Sequence, residues 1–202
     1  AGTALQGVLD LAAEFRKGDA EPPLILMGYL NPLVTWGYER FAEAAAKAGI
    51  DGLIIVDCPP EEADPLADAL DAADVALIRL PTPTTDDKRL PTVLKRTSGF
   101  VYYVPVTGVT GAKEADADAV RPAVERIRAA SGLPVAVGFG IKTPERAGAI
   151  AQVADAAVVG SALVDEVAEA LAGNEDVTGR VLSKVEALAK AVRAAKRSPV
   201  TA

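Results

Sequence analysis

LPVAVGFGIKTPERAGAIAQVADAAVVGSALV (residues 133–164) decides the fold. It opens on a continuous run of small and branched apolar residues, LPVAVGF (133–139), and closes on another, AAVVGSA (156–162). Such runs, without polar alternation, read as strands buried on both faces. Between them Thr143-Pro144-Glu145 supplies a capping hydroxyl, a proline suited to the first helical position and an acid for the first turn. Strand, helix and strand in that order predict a parallel pair joined by a right-handed crossover. Each run stops at glycine, in Gly138-Phe139-Gly140 and in Gly160-Ser161, so both strand ends offer backbone rather than side chains.

The same alternation extends towards the front of the chain. PLILMGY (23–29), GLIIVD (52–57), VALIRL (75–80) and FVYYVPV (100–106) read as further buried strands. ALQGVLDLAAEFRK (4–17), YERFAEAAAKAG (38–49), VRPAVERIRAASG (120–132) and the tail from Val177 to Lys196 have helical spacing. Gly49, Gly99 and Gly132 fall where helices should stop before the next strand. Units of about 25 to 30 residues suit a (β/α)8 TIM barrel, and no linker divides residues 1–202, so a single domain is expected. Six strands are legible, which makes them strands three to eight and places two βα units upstream of Ala1. A doubly wound open sheet is the rival fold, but its G-x-G-x-x-G fingerprint on the first strand is absent.

Half of the residues are hydrophobic and the net charge is -7, which fits a globular domain and opposes a nucleic-acid or anionic-membrane surface. No apolar run approaches the roughly 20 residues that span a bilayer, no leader opens the chain, and a cytoplasmic location is expected. The chain has one cysteine and no histidine. Ser-His and Cys-His nucleophiles, His-ligated metals and an internal disulfide are therefore excluded for this chain alone, and no metal is expected. Carboxylates, tyrosines, lysines and backbone remain.

In a parallel barrel, working residues sit at the C-terminal strand ends, and the loops after the last two strands commonly hold phosphate. Gly140, Gly160 and Ser161 are then candidates for a phosphate cradle, because glycine lets an anion approach N–H groups and a helix starting near Ser161 points its positive end there. The plainer reading is a pair of tight turns. PVTGVTGAKEADADAV (105–120) reads as a mobile loop over the site, or as an ordinary long connection. Tyr102 and Tyr103 alternate, one facing the barrel interior and the other the helices. Asp57, at a strand end, is a base, a ligand or a helix-start acid, and Arg79, inside VALIRL, should reach the rim or pair with an acid. Lys113 and Lys142 lie in loops, where neither suits imine chemistry well, and Cys58 reads as a packing thiol.

Taken together, LMGYLNPLVTWG (26–37), GLIIVDCPPEEA (52–63), LPTPTTDD (80–87), GFVYYVPVTGVTGA (99–112), PVAVGFGI (134–141) and VVGSALV (158–164) resemble the α subunit of tryptophan synthase. The resemblance implies a (β/α)8 barrel that cleaves indole-3-glycerol phosphate to indole and glyceraldehyde 3-phosphate by acid–base catalysis. It implies no cofactor in this subunit, and indole passing to a β subunit that carries pyridoxal phosphate, in an α2β2 assembly. It places the substrate phosphate on Gly111, Gly140, Gly160 and Ser161 and sets Phe139 beside the indole. Tyr102 should approach a catalytic carboxylate, and Thr110 should help close the site. Asn31 and Pro32, with Asp57, Cys58 and Pro59, should face the β subunit.

One part of the family pattern is not found. The catalytic glutamate and aspartate belong to an E-x-G-x-P-x-S-D-P stretch that these 202 residues do not contain, so both are expected upstream. Asp64-Pro65 is only superficially similar and lies in a helix after GLIIVD. The alternatives are a non-catalytic phosphate-binding or β-docking fragment, and a related phosphosugar isomerase or synthase barrel. The last does not account for GVTGA.

Overall fold

The computed structural model describes residues 2–105, 117–138 and 140–195. Among them short parallel strands alternate with helices, and the chain divides into two compact units. The first comprises residues 1–80 and 87–101, the second 81–86 and 102–202.

In the first unit, α1 (Leu5–Gly18) leads into β1 (Ile25–Gly28), α2 (Leu30–Trp36), α3 (Tyr38–Lys47) and β2 (Gly52–Ile55). A 3-10 turn (Pro60–Glu62), α4 (Asp64–Ala72), β3 (Ala76–Ile78) and α5 (Leu90–Leu94) follow. The sheet order is β1-β2-β3, all parallel, with Ile25 opposite Gly52 and Gly52 opposite Ala76. Every residue of β2 is buried, as its unbroken apolar run predicts for a central strand. A Cβ on Gly52 would lie 2.7 Å from Ile78 Cδ1 and 2.8 Å from Ile25 Cδ1, so isoleucines from both neighbouring strands close over it. Phe41, Leu66, Leu70 and Leu77 fill the space between sheet and helices, and the alanines of α3 let α4 approach closely. Each such large side chain contributes roughly 1.5–3 kcal/mol on burial.

In the second unit, the end of β4 (Val101–Tyr103), α6 (Ala117–Ser131), β5 (Val135–Gly138), α7 (Pro144–Ala151), β6 (Ala156–Val158), α8 (Ser161–Gly173) and α9 (Val177–Ala194) follow in order. The sheet order is β4-β5-β6, with Gly138 opposite Val158 in parallel register. Here β5 is the fully buried strand. Val124, Ile127, Val135, Val137 and Ile150 form its surroundings. At Gly148 an added Cβ would stand 3.3 Å from the Ala191 carbonyl, which shows how closely α7 and α9 pack.

A polar clasp at the amino ends of the strands occurs in both units. Asp51, just before β2, accepts the Leu24 N–H at 2.7 Å and pairs with Arg16 of α1. Asp155, just before β6, accepts the Val135 N–H at 2.9 Å and pairs with Arg128 of α6 at 2.9 Å. Each aspartate thus ties a helix, the strand after it and the next strand. Arg16 also donates to the Gly49 carbonyl at 2.7 Å. Gly49 must be glycine on two counts: its φ is +78°, and a Cβ would come within 2.6 Å of Arg16 Cγ.

All six strands read from the apolar runs are present. The structure adds α2, α5 and the 3-10 turn, which the periodicity did not suggest. It also includes Ala117–Ala119 in α6, ahead of Val120, so Pro122 lies inside the helix, while most of the loop expected over 105–120 lies outside the described residues. The acidic Ala-Asp-Ala sequence makes a favourable first turn ahead of that proline.

Candidate functional site

The glycines at the end of the second unit's sheet have different physical reasons. Gly138 ends β5, and a Cβ there would fall 2.3 Å from the Tyr102 hydroxyl and 2.6 Å from its ring. Gly138 is therefore glycine so that the tyrosine can lie across the strand. Gly140 has φ +71°, a left-handed conformation that other residues adopt at a cost. Gly160 has neither reason: its φ is −120°, and none of the described residues lies within 4 Å of where its Cβ would be. Space above Gly160 is open among those residues.

Gly160 is also the N-cap of α8, and it makes no side-chain capping bond. The first turn of a helix leaves N–H groups without intrahelical acceptors, and it carries the positive end of the helix dipole. α7 shows the contrast, since Thr143 Oγ1 accepts the Arg146 N–H at 3.3 Å and caps it as the sequence predicts. Ser161 is the exposed first residue of α8. Gly140 and Gly160 each stand two residues beyond the paired residues Gly138 and Val158, so bare backbone from two adjacent strands meets an uncapped helix start. Such an arrangement suits a phosphate or another compact anion.

Tyr102 is half-buried, and burial raises its hydroxyl above the ordinary tyrosine value. Tyr103 is buried on the opposite side of β4, where burial pushes it up and the Arg126 charge of α6 opposes this. The alternation therefore resolves with Tyr102 over the strand end and Tyr103 towards the helices. Thr110, Gly111, Lys113 and Phe139 lie outside the described residues. Lys142 is exposed and 4.0 Å from Asp165.

The first unit has a different rim. Asp57 Oδ1 accepts the Leu30 N–H at 2.8 Å, so it caps α2 from the neighbouring strand end. The Val56 N–H donates to the Gly28 carbonyl at 3.1 Å beside it. The start of α2, which carries Asn31 and Pro32, is thereby tied to the strand end that carries Asp57, Cys58 and Pro59, so the two sequence segments expected to face a partner are neighbours on one rim. Within it Cys58 is buried and Asn31, Pro32, Asp57 and Pro59 are exposed. Arg79 is buried, its Nη1 donates to the Cys58 carbonyl at 3.2 Å, and among the described residues it makes no salt bridge, although its charge is felt by Glu61 and Asp64. Sequence reasoning missed both links, because each joins residues more than twenty positions apart.

Among the described residues, no group of three or more His, Cys, Asp or Glu side chains is placed to hold a metal, and no helix is long and apolar enough to cross a membrane. A groove on α8 and α9 is lined by Glu166, Glu175, Arg180 and Lys184, whose charges are paired with one another.

The model of the tryptophan synthase alpha chain family matches residues 1–193. The chain belongs to this family. It is 78% identical over 197 residues to the tryptophan synthase alpha chain of Phenylobacterium zucineum, an alignment covering 98% of this chain and 71% of that one. Among solved structures, it superposes on the α subunit of Legionella pneumophila with a TM-score of 0.85 at 37% identity, covering 93% of this chain and 69% of the other. A Pyrococcus furiosus structure, described as a tryptophan synthase α2β2 complex, gives 0.81 at 33% identity, with 94% and 75% covered. The parallel strands and alternating helices are accordingly those of the family's (β/α)8 barrel fold.

Proposed function

We propose that this chain serves as the α subunit of tryptophan synthase, a carbon–carbon lyase that splits indole-3-glycerol phosphate into indole and glyceraldehyde 3-phosphate, and that its glycine rim grips the substrate phosphate. The observation that carries the site assignment is the uncapped start of α8 at Gly160, open to solvent beside Gly140. Backbone N–H groups near Gly111, Gly140, Gly160 and Ser161 bind the phosphate oxygens. The helix dipole adds about 0.3–1 kcal/mol to an anion at such an end. Phe139 lines the indole side, Tyr102 supports the reacting end and Thr110 helps close the site. Both compact units belong to one barrel domain in this reading.

Retro-aldol cleavage needs a base to take the proton of the hydroxyl that becomes the aldehyde, and an acid to protonate the departing indole carbon. None of the 202 residues is assigned either role. The family's glutamate and aspartate motif is not among them, and Asp64 is engaged by Lys95 at 2.8 Å at the start of α4. The subunit itself uses no cofactor. Its partner is the β subunit, which carries pyridoxal phosphate and docks on the rim of Asn31, Pro32, Asp57, Cys58 and Pro59, in an assembly of the α2β2 type seen in Pyrococcus furiosus. The expected location is the cytoplasm.

Titration with glycerol 3-phosphate tests the cradle: saturable binding that is lost in Gly160→Val supports it, and equal binding by both proteins overturns it. Turnover tests the rest. If these 202 residues alone cleave indole-3-glycerol phosphate, the expectation that the catalytic carboxylates lie elsewhere is wrong. Binding without turnover is the behaviour expected of the alternative, a non-catalytic docking and phosphate-binding fragment.

A further inference from the structure

Arg79 follows directly after β3, where its backbone bridges in parallel to Val101, and its side chain is 4% exposed. Of its guanidinium donors, Nη1 reaches the Cys58 carbonyl at 3.2 Å, whereas Nε and Nη2 are buried with no hydrogen-bond acceptor among the described residues. The acidic groups that feel its charge are already engaged: Glu61 by Arg89, and Asp64 through Oδ2 by Lys95. Asp64 Oδ1 makes no hydrogen bond among the described residues and lies 4.0 Å from Arg96 Nη1. A charge in this setting pays a desolvation penalty that one carbonyl contact does not offset, and an apolar side chain of similar length would pack there at lower cost. The side-chain contacts of the described residues therefore do not offset the cost of an arginine at position 79. Among them, its direct side-chain hydrogen bond is with the loop that follows β2.

That loop is short and exposed at Asp57 and Pro59, and is tied on its other side by Asp57 to Leu30 and Val56 to Gly28, and ahead by the Glu62 N–H to the Pro59 carbonyl at 3.1 Å. The Cys58 carbonyl belongs to the planar Cys58–Pro59 peptide, so its direction sets the orientation of that plane, next to exposed Asp57 and Pro59. We infer that Arg79 is the positioning residue of the docking rim: by holding the Cys58 carbonyl from beneath, it fixes Asp57, Cys58 and Pro59 in the conformation that receives the β subunit. This inference rests on the docking role proposed above for that segment. It assigns Arg79 no contact with substrate or partner.

The test compares the wild-type chain with Arg79→Met, Arg79→Lys and Pro59→Asp in binding to the cognate β subunit, with glycerol 3-phosphate affinity and the urea midpoint read in parallel. Arg79→Met is expected to weaken β-subunit binding at least tenfold, while glycerol 3-phosphate affinity stays within twofold and the urea midpoint is unchanged or raised. Arg79→Lys keeps one donor for the carbonyl and is expected to recover most of the binding. Pro59→Asp, on the exposed rim itself, is expected to abolish it. If Arg79→Met binds the β subunit like wild type while Pro59→Asp does not, the inference is overturned and the docking reading stands. If both bind like wild type, the docking reading fails and takes the inference with it. A fall in the urea midpoint and phosphate affinity of Arg79→Met, in step with β-subunit binding and without rescue by lysine, would show a merely structural arginine and also overturn it. Should Arg79→Met not fold, Arg79→Gln, which retains an N–H donor, is read against Arg79→Lys by the same criteria.

Discussion

The two units repeat one another at the amino ends of their strands and differ at the carboxyl ends. Below, each ties helix, strand and next strand through one aspartate: Asp51 with Arg16 and the Leu24 N–H, and Asp155 with Arg128 and the Val135 N–H. Above, the first unit satisfies its own backbone, because Asp57 caps α2 and Arg79 takes the Cys58 carbonyl. The second, among its described residues, has a left-handed glycine at Gly140 and no side-chain cap at the start of α8. Repetition marks what any βα pair needs to close, and divergence marks where ligands are expected, in keeping with the division of labour between the two faces of a parallel barrel. A rim capped by the protein's own groups suits a fixed surface for a partner; an uncapped one suits a small anion.

The strongest way to break this comparison is at the clasps. Asp155→Ala leaves the Val135 N–H and the Arg128 guanidinium without their acceptor and is expected to cost about 3 kcal/mol, as a lower urea midpoint. Asp51→Ala removes the same bonds from a more exposed carboxylate, 53% against 25%, and should cost roughly half as much. Equal costs, or none, would mean that the clasps are incidental. Next comes Gly138→Ala, whose methyl group meets Tyr102: about 1–3 kcal/mol is expected from overpacking, partly recovered by adding Tyr102→Phe. Gly160→Ala meets nothing, so its stability should change by less than about 0.5 kcal/mol. Its affinity for glycerol 3-phosphate should nevertheless fall about tenfold, near 1.4 kcal/mol. A stability loss at Gly160 as large as at Gly138 would contradict the different reasons given for these glycines.

The smallest effect concerns pH. Burial raises the Tyr102 hydroxyl above the value it has in the unfolded chain, so the neutral form is favoured on folding. Its contribution is complete below the unfolded value near 10 and is lost as pH rises through the folded one. Urea midpoints should therefore fall above about pH 10, and Tyr102→Phe should make that fall shallower. A parallel fall in both proteins would assign it to other groups, Tyr103 among them.

Much of this molecule is legible before folding is considered. Unbroken apolar runs mark all the described strands, and Gly49, Gly99 and Gly132 take the positive φ values expected of helix stops. The bare strand ends proposed as a phosphate cradle were legible in outline because glycine at two adjacent strand ends is a local signal. Hidden features depend on partners distant in sequence. α2 is only seven residues long, and its cap comes from Asp57, so no local pattern announced it. Arg16 and Asp51 are 35 positions apart, and a charge at either end of a helix or strand reads simply as surface. Arg79 was conspicuous inside a strand, but its acceptor is a backbone carbonyl, which carries no residue code.

The central claim is that the two rims are built for different occupants, and amide chemical shifts during titration with glycerol 3-phosphate test it most directly. The account predicts saturable shifts centred on Gly140, Gly160 and Ser161, with Leu30, Asp57 and Cys58 unmoved. Shifts centred on the Asp57 rim, or no saturable shifts at Gly160 and Ser161, would contradict it.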